Sequence, residues 1–105
     1  MVCWDLAYPE VARGLARRGA EVILLPIWGG EEVLARARAV ENQVWLVASG
    51  YDFRTAIYDR RGKELARAAR DPEVIVAEVD LEERTYWPWL GDWRSRIWHE
   101  APSVR

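Results

Sequence analysis

One side chain in this sequence can act as a strong nucleophile, and it stands third: Cys3, in the run Cys3-Trp4-Asp5-Leu6-Ala7-Tyr8-Pro9-Glu10. A thiolate attacks electrophilic carbon well only when it is ionised and positioned. The local sequence predicts such a presentation. Cys3 reads as the end of a short strand just before a helix start, with Pro9 in the first turn and Glu10 matching the positive end of the dipole. That positive end favours thiolate over thiol.

Other residues have types and spacings that could do chemistry. Asp5 and Glu10 fit an acid–base pair, but they read better as helix-start and packing partners. Trp28 follows a strand and precedes Gly29-Gly30, where a pocket opens in an α/β fold, and reads equally as pocket wall or as core filler. Asp52 and Arg54 lie in the loop after the second apolar strand, as substrate contacts or as a solvated loop. Arg38 and Glu41 are three apart on a helix and read as a structural ion pair beside Arg36. Lys63, the only lysine, falls in a charged turn, and the only histidine, His99, in an Arg/Trp-rich tail. Both read as solvated. No ligand set with metal spacing and no cofactor fingerprint is present, so no metal and no cofactor is expected.

The elements that must position these groups follow from hydrophobic spacing. Val11, Ala12, Leu15 and Ala16 make a helical stripe, ended by Arg17, Arg18 and Gly19. Gly14 inside that helix should weaken it, with close packing against a neighbour as one reason for a glycine there. Val22 to Trp28 is a continuous apolar run, read as a strand covered on both faces and ending near Pro26. A second helix spans about 31 to 43, with Glu32 reaching Arg36 and with Val33, Ala37 and Val40 buried. Val44 to Ser49 is another apolar strand. Thr55–Asp59 and Glu64–Ala66 flank a hairpin turn, and the alternation from Val74 to Leu81 predicts a last strand. Two helices can cover one face of one sheet. The other face must be covered by another layer, a second copy or the tail.

With 105 residues, 50% hydrophobic and 30% charged, the chain reads as a single soluble unit. Its net charge of −2 gives no general attraction to nucleic acid or to anionic membrane. One cysteine cannot close an internal disulfide, and no secretion signal or membrane-length apolar run is read, so the cytoplasm is expected. Seven tryptophans are many, and Trp87, Trp89, Trp93 and Trp98 crowd the tail. With Arg94 and Arg96 they have the chemistry to stack on bases. The acidic balance argues instead for packing on the body or on a second subunit.

The quoted residues resemble a known family. Cys3-Trp4-Asp5, Tyr8-Pro9-Glu10, Arg13 and Leu15 to Pro26 look like the nucleophile segment of the nitrilase, or carbon–nitrogen hydrolase, superfamily. Ala35 to Asn42 resembles that family's next motif. Thr55, Ile57, Asp59 and Gly62 resemble its following turn, and Val76 to Leu81 its late strand. Arg60 stands where that turn usually has Pro, and Thr55 where it commonly has Ser.

The resemblance implies an α/β fold, the C-terminal half of an α-β-β-α sandwich: one helix-and-sheet layer with an extended C-terminal tail. Residues 1–81 would be a partial carbon–nitrogen hydrolase domain and 82–105 the tail. It also implies an amidase- or nitrilase-like hydrolase of non-peptide C–N bonds, using a Glu–Lys–Cys triad. By position Cys3 would be the nucleophile and the Trp4 backbone N–H the oxyanion donor. The family's Glu and Lys precede its Cys, and here only Met1 and Val2 do. The expectation is therefore a truncated domain, inactive alone and completed by another chain acting on a small amide or nitrile. The alternative is a non-catalytic half-domain that oligomerises with its own kind or takes a partner subunit over its open sheet face.

Overall fold

The computed structural model describes residues 1–70, 72–97, 99 and 100. Trp98, one of the tail tryptophans, lies outside the described residues. Four strands form one sheet in the order β1-β2-β3-β4. They are β1 (Val22–Gly29), β2 (Trp45–Asp52), β3 (Ala56–Tyr58) and β4 (Glu64–Arg67). β1 and β2 are parallel, and the remaining pairs are antiparallel. The helices are α1 (Pro9–Arg17), α2 (Glu32–Asn42) and a short α3 (Trp93–Arg96).

α1 starts as its sequence dictates. Pro9 occupies the first turn, where a missing N–H costs nothing. Gly19, at φ 98°, takes the left-handed position after the C-cap Arg18. Ala12 and Ala16 are buried, while Val11 and Leu15 are half-buried beside them. Close packing does not account for Gly14: a Cβ there would meet nothing within 4 Å. No neighbour requires the glycine. Gly14→Ala should therefore raise the unfolding free energy by about 1 kcal/mol and Tm by several degrees, read from a thermal melt.

α2 buries a different stripe from the one predicted. Ala35, Arg38, Ala39 and Asn42 face inward, whereas Val33 is 68% exposed and Ala37 and Val40 are only half-buried. Small alanines let the helix lie close to the sheet, and that proximity outweighs the larger valines. Glu32 does not pair with Arg36. It meets Arg67 at 2.6 Å, and Arg36 instead meets Glu64 at 3.5 Å. Cross-element partners on β4 displace the i,i+4 pair.

β1 is covered on one face only. Ile23, Leu25 and Ile27 are buried, while Leu24, Pro26 and Trp28 are exposed. The strand runs past Pro26 to Gly29. As an outer strand of the described sheet, β1 tolerates a residue with no N–H to donate. On the helix side, Leu25, Ile27, Leu46, Ala48, Ala56 and Tyr58 pack with Ala35 and Ala39 of α2. The opposite face is the uncovered one, as the helix count required. Part of it is sealed by the chain itself. Trp45 is 4% exposed beneath the Arg60 guanidinium, which donates to the carbonyls of Leu81 and Glu83. Toward the β1 side the face stays open.

The predicted last strand is not part of the sheet. Residues 73–80 carry no strand pairing, although burial alternates along them, with Ile75, Ala77 and Val79 half-buried and Val74 and Val76 outward. The alternation is that of a strand. Among the described residues no neighbouring strand hydrogen-bonds to it. β4, at Glu64–Arg67, is the last strand in chain order.

The tail then folds back on the helices. Ile97 is fully buried with Ala12, Ala16, Ile23 and Val44. Trp93 Nε1 donates to the Glu41 carbonyl at 2.9 Å, and Arg94 donates to the carbonyls of Asn42 and Ala20. Arg17 Nε reaches the Ile97 carbonyl at 3.0 Å. Burial pushes the Arg13 and Arg94 guanidinium pKa values down from the usual arginine range. The tail packing is thus onto the body, through guanidinium groups that satisfy helix-end and loop carbonyls.

Candidate active site

Cys3 begins a 3₁₀ helix, Cys3–Ala7, after Val2 in extended conformation. Its backbone is left-handed, φ 45°, which is unfavourable for any residue with a Cβ. Such a conformation persists only where surrounding contacts hold it. Four contacts do so. Asp5 Oδ2 accepts from the Val2 N–H at 2.8 Å, and the Asp5 N–H donates back to the Val2 carbonyl at 3.0 Å. The Met1 ammonium donates to the Leu24 carbonyl at 3.3 Å, tying the segment to β1. Leu6, 3% exposed, fills the core near the end of β1. It lies so close that a Cβ on Gly30 would stand 3.4 Å from its Cδ2 and 3.0 Å from Ile27 Cδ1.

The fourth contact comes from α2. Arg38 is 5% exposed; its Nε donates to the Leu6 carbonyl at 3.2 Å and its Nη1 meets Glu41 Oε1 at 3.1 Å. One planar guanidinium therefore spans the cysteine turn and its own counter-ion. Arg38 and Glu41 hold the turn from behind.

The helix start expected next to Cys3 lies further along the chain. Five residues, Trp4 to Tyr8, separate Cys3 from Pro9, where α1 begins. Cys3 therefore does not stand at the start of α1 but opens its own short 3₁₀ turn. What the turn does provide is N–H groups. The first N–H groups of a helix have no acceptor inside it, and Trp4 carries one of these. Its side chain is 76% exposed. Cys3 itself is half-buried against the Leu6, Leu25 and Ile27 cluster.

Of the remaining candidates, Glu10 is exposed in the first turn of α1. Trp28 and Tyr51 stack face to face, centroids 4.3 Å apart and planes 27° apart. Tyr51 was missed from sequence because Gly50 suggested that the strand had ended; β2 runs on to Asp52. Asp52 is exposed at that end, opposite Gly29. Arg54 Nη1 donates to the carbonyls of Ala68 and Ala69, so it braces a loop. An open pocket of about 370 Å³ lies there, lined by residues 50–55 with Ala68, Arg70 and Glu73. Gly50 is obligatory, since a Cβ would fall 2.0 Å from the Phe53 carbonyl oxygen.

Lys63 is remote from this region. Its turn, closed by Asp59, joins β3 to β4 beside Tyr58, which pairs with Leu46 at the start of β2. Cys3 sits by the far end of β1. Among the described residues no group of three or more His, Cys, Asp or Glu side chains is arranged to hold a metal ion, and no helix is long and apolar enough to cross a membrane.

A parallel strand pair with a strained cysteine turn at its carboxyl end has clear relatives. The family profile "Carbon-nitrogen hydrolase" matches residues 1–88, and the chain belongs to that family. It is 33% identical over 97 residues to the deaminated glutathione amidase of Homo sapiens, covering 76% of this chain and 30% of that protein. It is 34% identical over 101 residues to the omega-amidase NIT3 of Saccharomyces cerevisiae, covering 77% of this chain and 34% of that one. Among solved structures, a carbon–nitrogen hydrolase from Helicobacter pylori G27 superposes with TM-score 0.68 at 27% identity, over 78% of this chain and 39% of the other. An amidase from Nesterenkonia sp. AN1, solved with acrylamide added to its active-site cysteine, gives 0.57 at 27% identity, over 65% and 33%. The chain spans about a third of the length of the curated relatives it matches.

Proposed function

We propose that these residues carry the nucleophile of an amide-hydrolysing carbon–nitrogen hydrolase, with Cys3 as the attacking group. The observation that carries the reading is the left-handed backbone at Cys3, held from four directions in a turn that packs on the end of β1. Strain maintained this way fits a group that must be presented rather than merely packed. The amidase names of the relatives, and the active-site cysteine of the Nesterenkonia enzyme, support the same assignment.

The chemistry follows from the sulfur. Cys3 Sγ attacks the amide carbon, and the Trp4 N–H stabilises the negative charge that develops on oxygen. The C–N bond breaks, the nitrogen leaves with a proton, and a thioester remains on Cys3. Water then adds, the C–S bond breaks, and acid and thiol are released. Both halves need a group that takes and returns a proton. The only lysine stands at the other end of the sheet, and Asp5 is committed to the Val2 N–H. We therefore assign the proton-transfer carboxylate and the amine to polypeptide outside these 105 residues.

The reading is tested by incubating the folded chain alone with a panel of simple amides and nitriles. The expected result is neither turnover nor an acyl adduct by intact-mass spectrometry. Turnover by the chain alone would overturn the assignment of those groups. A second reading, a non-catalytic interaction module, is favoured by one observation: Leu24, Trp28 and Tyr51 are 64%, 65% and 69% exposed on a single sheet face.

A further inference from the structure

Among the described residues, two side-chain N–H groups are buried without an acceptor, Trp45 Nε1 and Arg60 Nε. Both belong to residues that line one small cavity, of about 50 Å³, with Asp59, Arg61, Glu83 and Thr85. A buried donor left unmet is costly, so two on one cavity point to something that accepts from both. The charge on Arg60 gives a second reason. Arg60 is 2% exposed, and its Nη1 and Nη2 donate to the carbonyls of Glu83 and Leu81, which are neutral. The one carboxylate within 4 Å, Glu21, stands 3.9 Å from Nη2, and its side chain is 46% exposed. Glu21 is also shared. Burial, and after it the like charge of Arg60, pushes the Arg94 pKa down, while Glu21 opposes them. One half-exposed glutamate therefore serves two buried guanidinium groups. Asp59, in the cavity wall, is engaged by the N–H groups of Arg61 and Lys63 at 2.8 and 2.9 Å.

We propose that Trp45 and Arg60 hold a small monovalent anion, such as chloride, in this cavity. Thr85, 7% exposed, adds a hydroxyl that can turn to donate. A cation has no place beside a guanidinium and two N–H donors. A water accepts from both donors but brings no charge to Arg60. The volume sets the size: a water takes about 30 Å³ of liquid, so one ion of a few atoms at most fits. The ion joins the sheet, through Trp45 of β2, to the segment from Leu81 to Thr85 that lies over it. Arg60 stands where the family's turn usually has Pro, and proline offers no donor, so the site belongs to this chain's own sequence. It lies by the β3–β4 turn, away from Cys3, and stands or falls apart from the nucleophile assignment.

Two measurements on the folded chain test the site. Thermal melts compare sodium chloride with sodium gluconate, whose anion is too large for the cavity, at one ionic strength. Chloride should raise Tm by about 6 °C once it is tenfold above its dissociation constant. The ³⁵Cl resonance should broaden in the presence of the chain, and nitrate should reverse the broadening while gluconate leaves it. Trp45→Phe keeps a ring and removes one donor; Arg60→Lys keeps the charge and removes the other. Each should flatten the chloride response of both readouts. Equal melts in the two salts with no excess linewidth would show that water meets the donors, and would overturn the proposal. So would a chloride response that survives both variants, or one that climbs without saturating, which is general screening. The linewidth and its reversal on the unsubstituted chain decide the matter even where a variant fails to fold.

Discussion

Arg38→Ala should destabilise the chain by about 3 kcal/mol, read as a lowered urea midpoint, and should make Cys3 alkylate faster at urea concentrations well below that midpoint. Arg38 is 5% exposed, and its guanidinium serves two acceptors, the Leu6 carbonyl at 3.2 Å and Glu41 at 3.1 Å. Removing it leaves a buried carbonyl without a donor, a carboxylate without its counter-ion and a void behind the turn. The Glu41 side chain is 33% exposed, so water recovers part of its loss. The two readouts separate packing from positioning. A purely structural role would lower the midpoint and leave native-state alkylation unchanged. Arg38→Lys should fall between, because a single ammonium cannot present a planar fork to two acceptors.

Ile97→Ala should cost a similar amount, about 3 kcal/mol, with the opposite local signature. Ile97 is fully buried among Ala12, Ala16, Ile23 and Val44, and truncating it leaves a cavity between the tail and α1. That cluster is separate from the one against which Cys3 packs. Cys3 alkylation in the native state should therefore match the unsubstituted chain. If Ile97→Ala left the urea midpoint unchanged, the tail would not be docked on α1 in solution.

The contrast between these two sites shows what the sequence could tell in advance. α1 was legible residue by residue, because Pro9, the alanine stripe and Gly19 are local signals. The Arg38–Glu41 pair was legible because it lies within one helix. The one-sided cover of the sheet could be counted from two helices. The rest depended on contacts between elements. Val33 lost its place in the core because alanines allow closer approach of α2 to the sheet. Glu32 left Arg36 for Arg67, which is 35 positions away. The alternation of residues 74–81 describes a strand, but a pattern cannot say whether a neighbouring strand is there to bond with it. The site divides the same way. Cys3 and its turn could be found in sequence, while the brace from Met1 to Leu24 and the stacking of Tyr51 on Trp28 required the register of β1 on β2.

Whether Cys3 attacks amides is settled by restoring what these residues do not contain. Residues 1–88 would replace the matching segment of the yeast omega-amidase, so that the rest of that enzyme supplies the upstream part. The chimera should hydrolyse amides, and Cys3→Ala in it should lower kcat at least about a thousandfold without unfolding it. A folded chimera whose amidase activity survives Cys3→Ala would show that the sulfur is not the nucleophile.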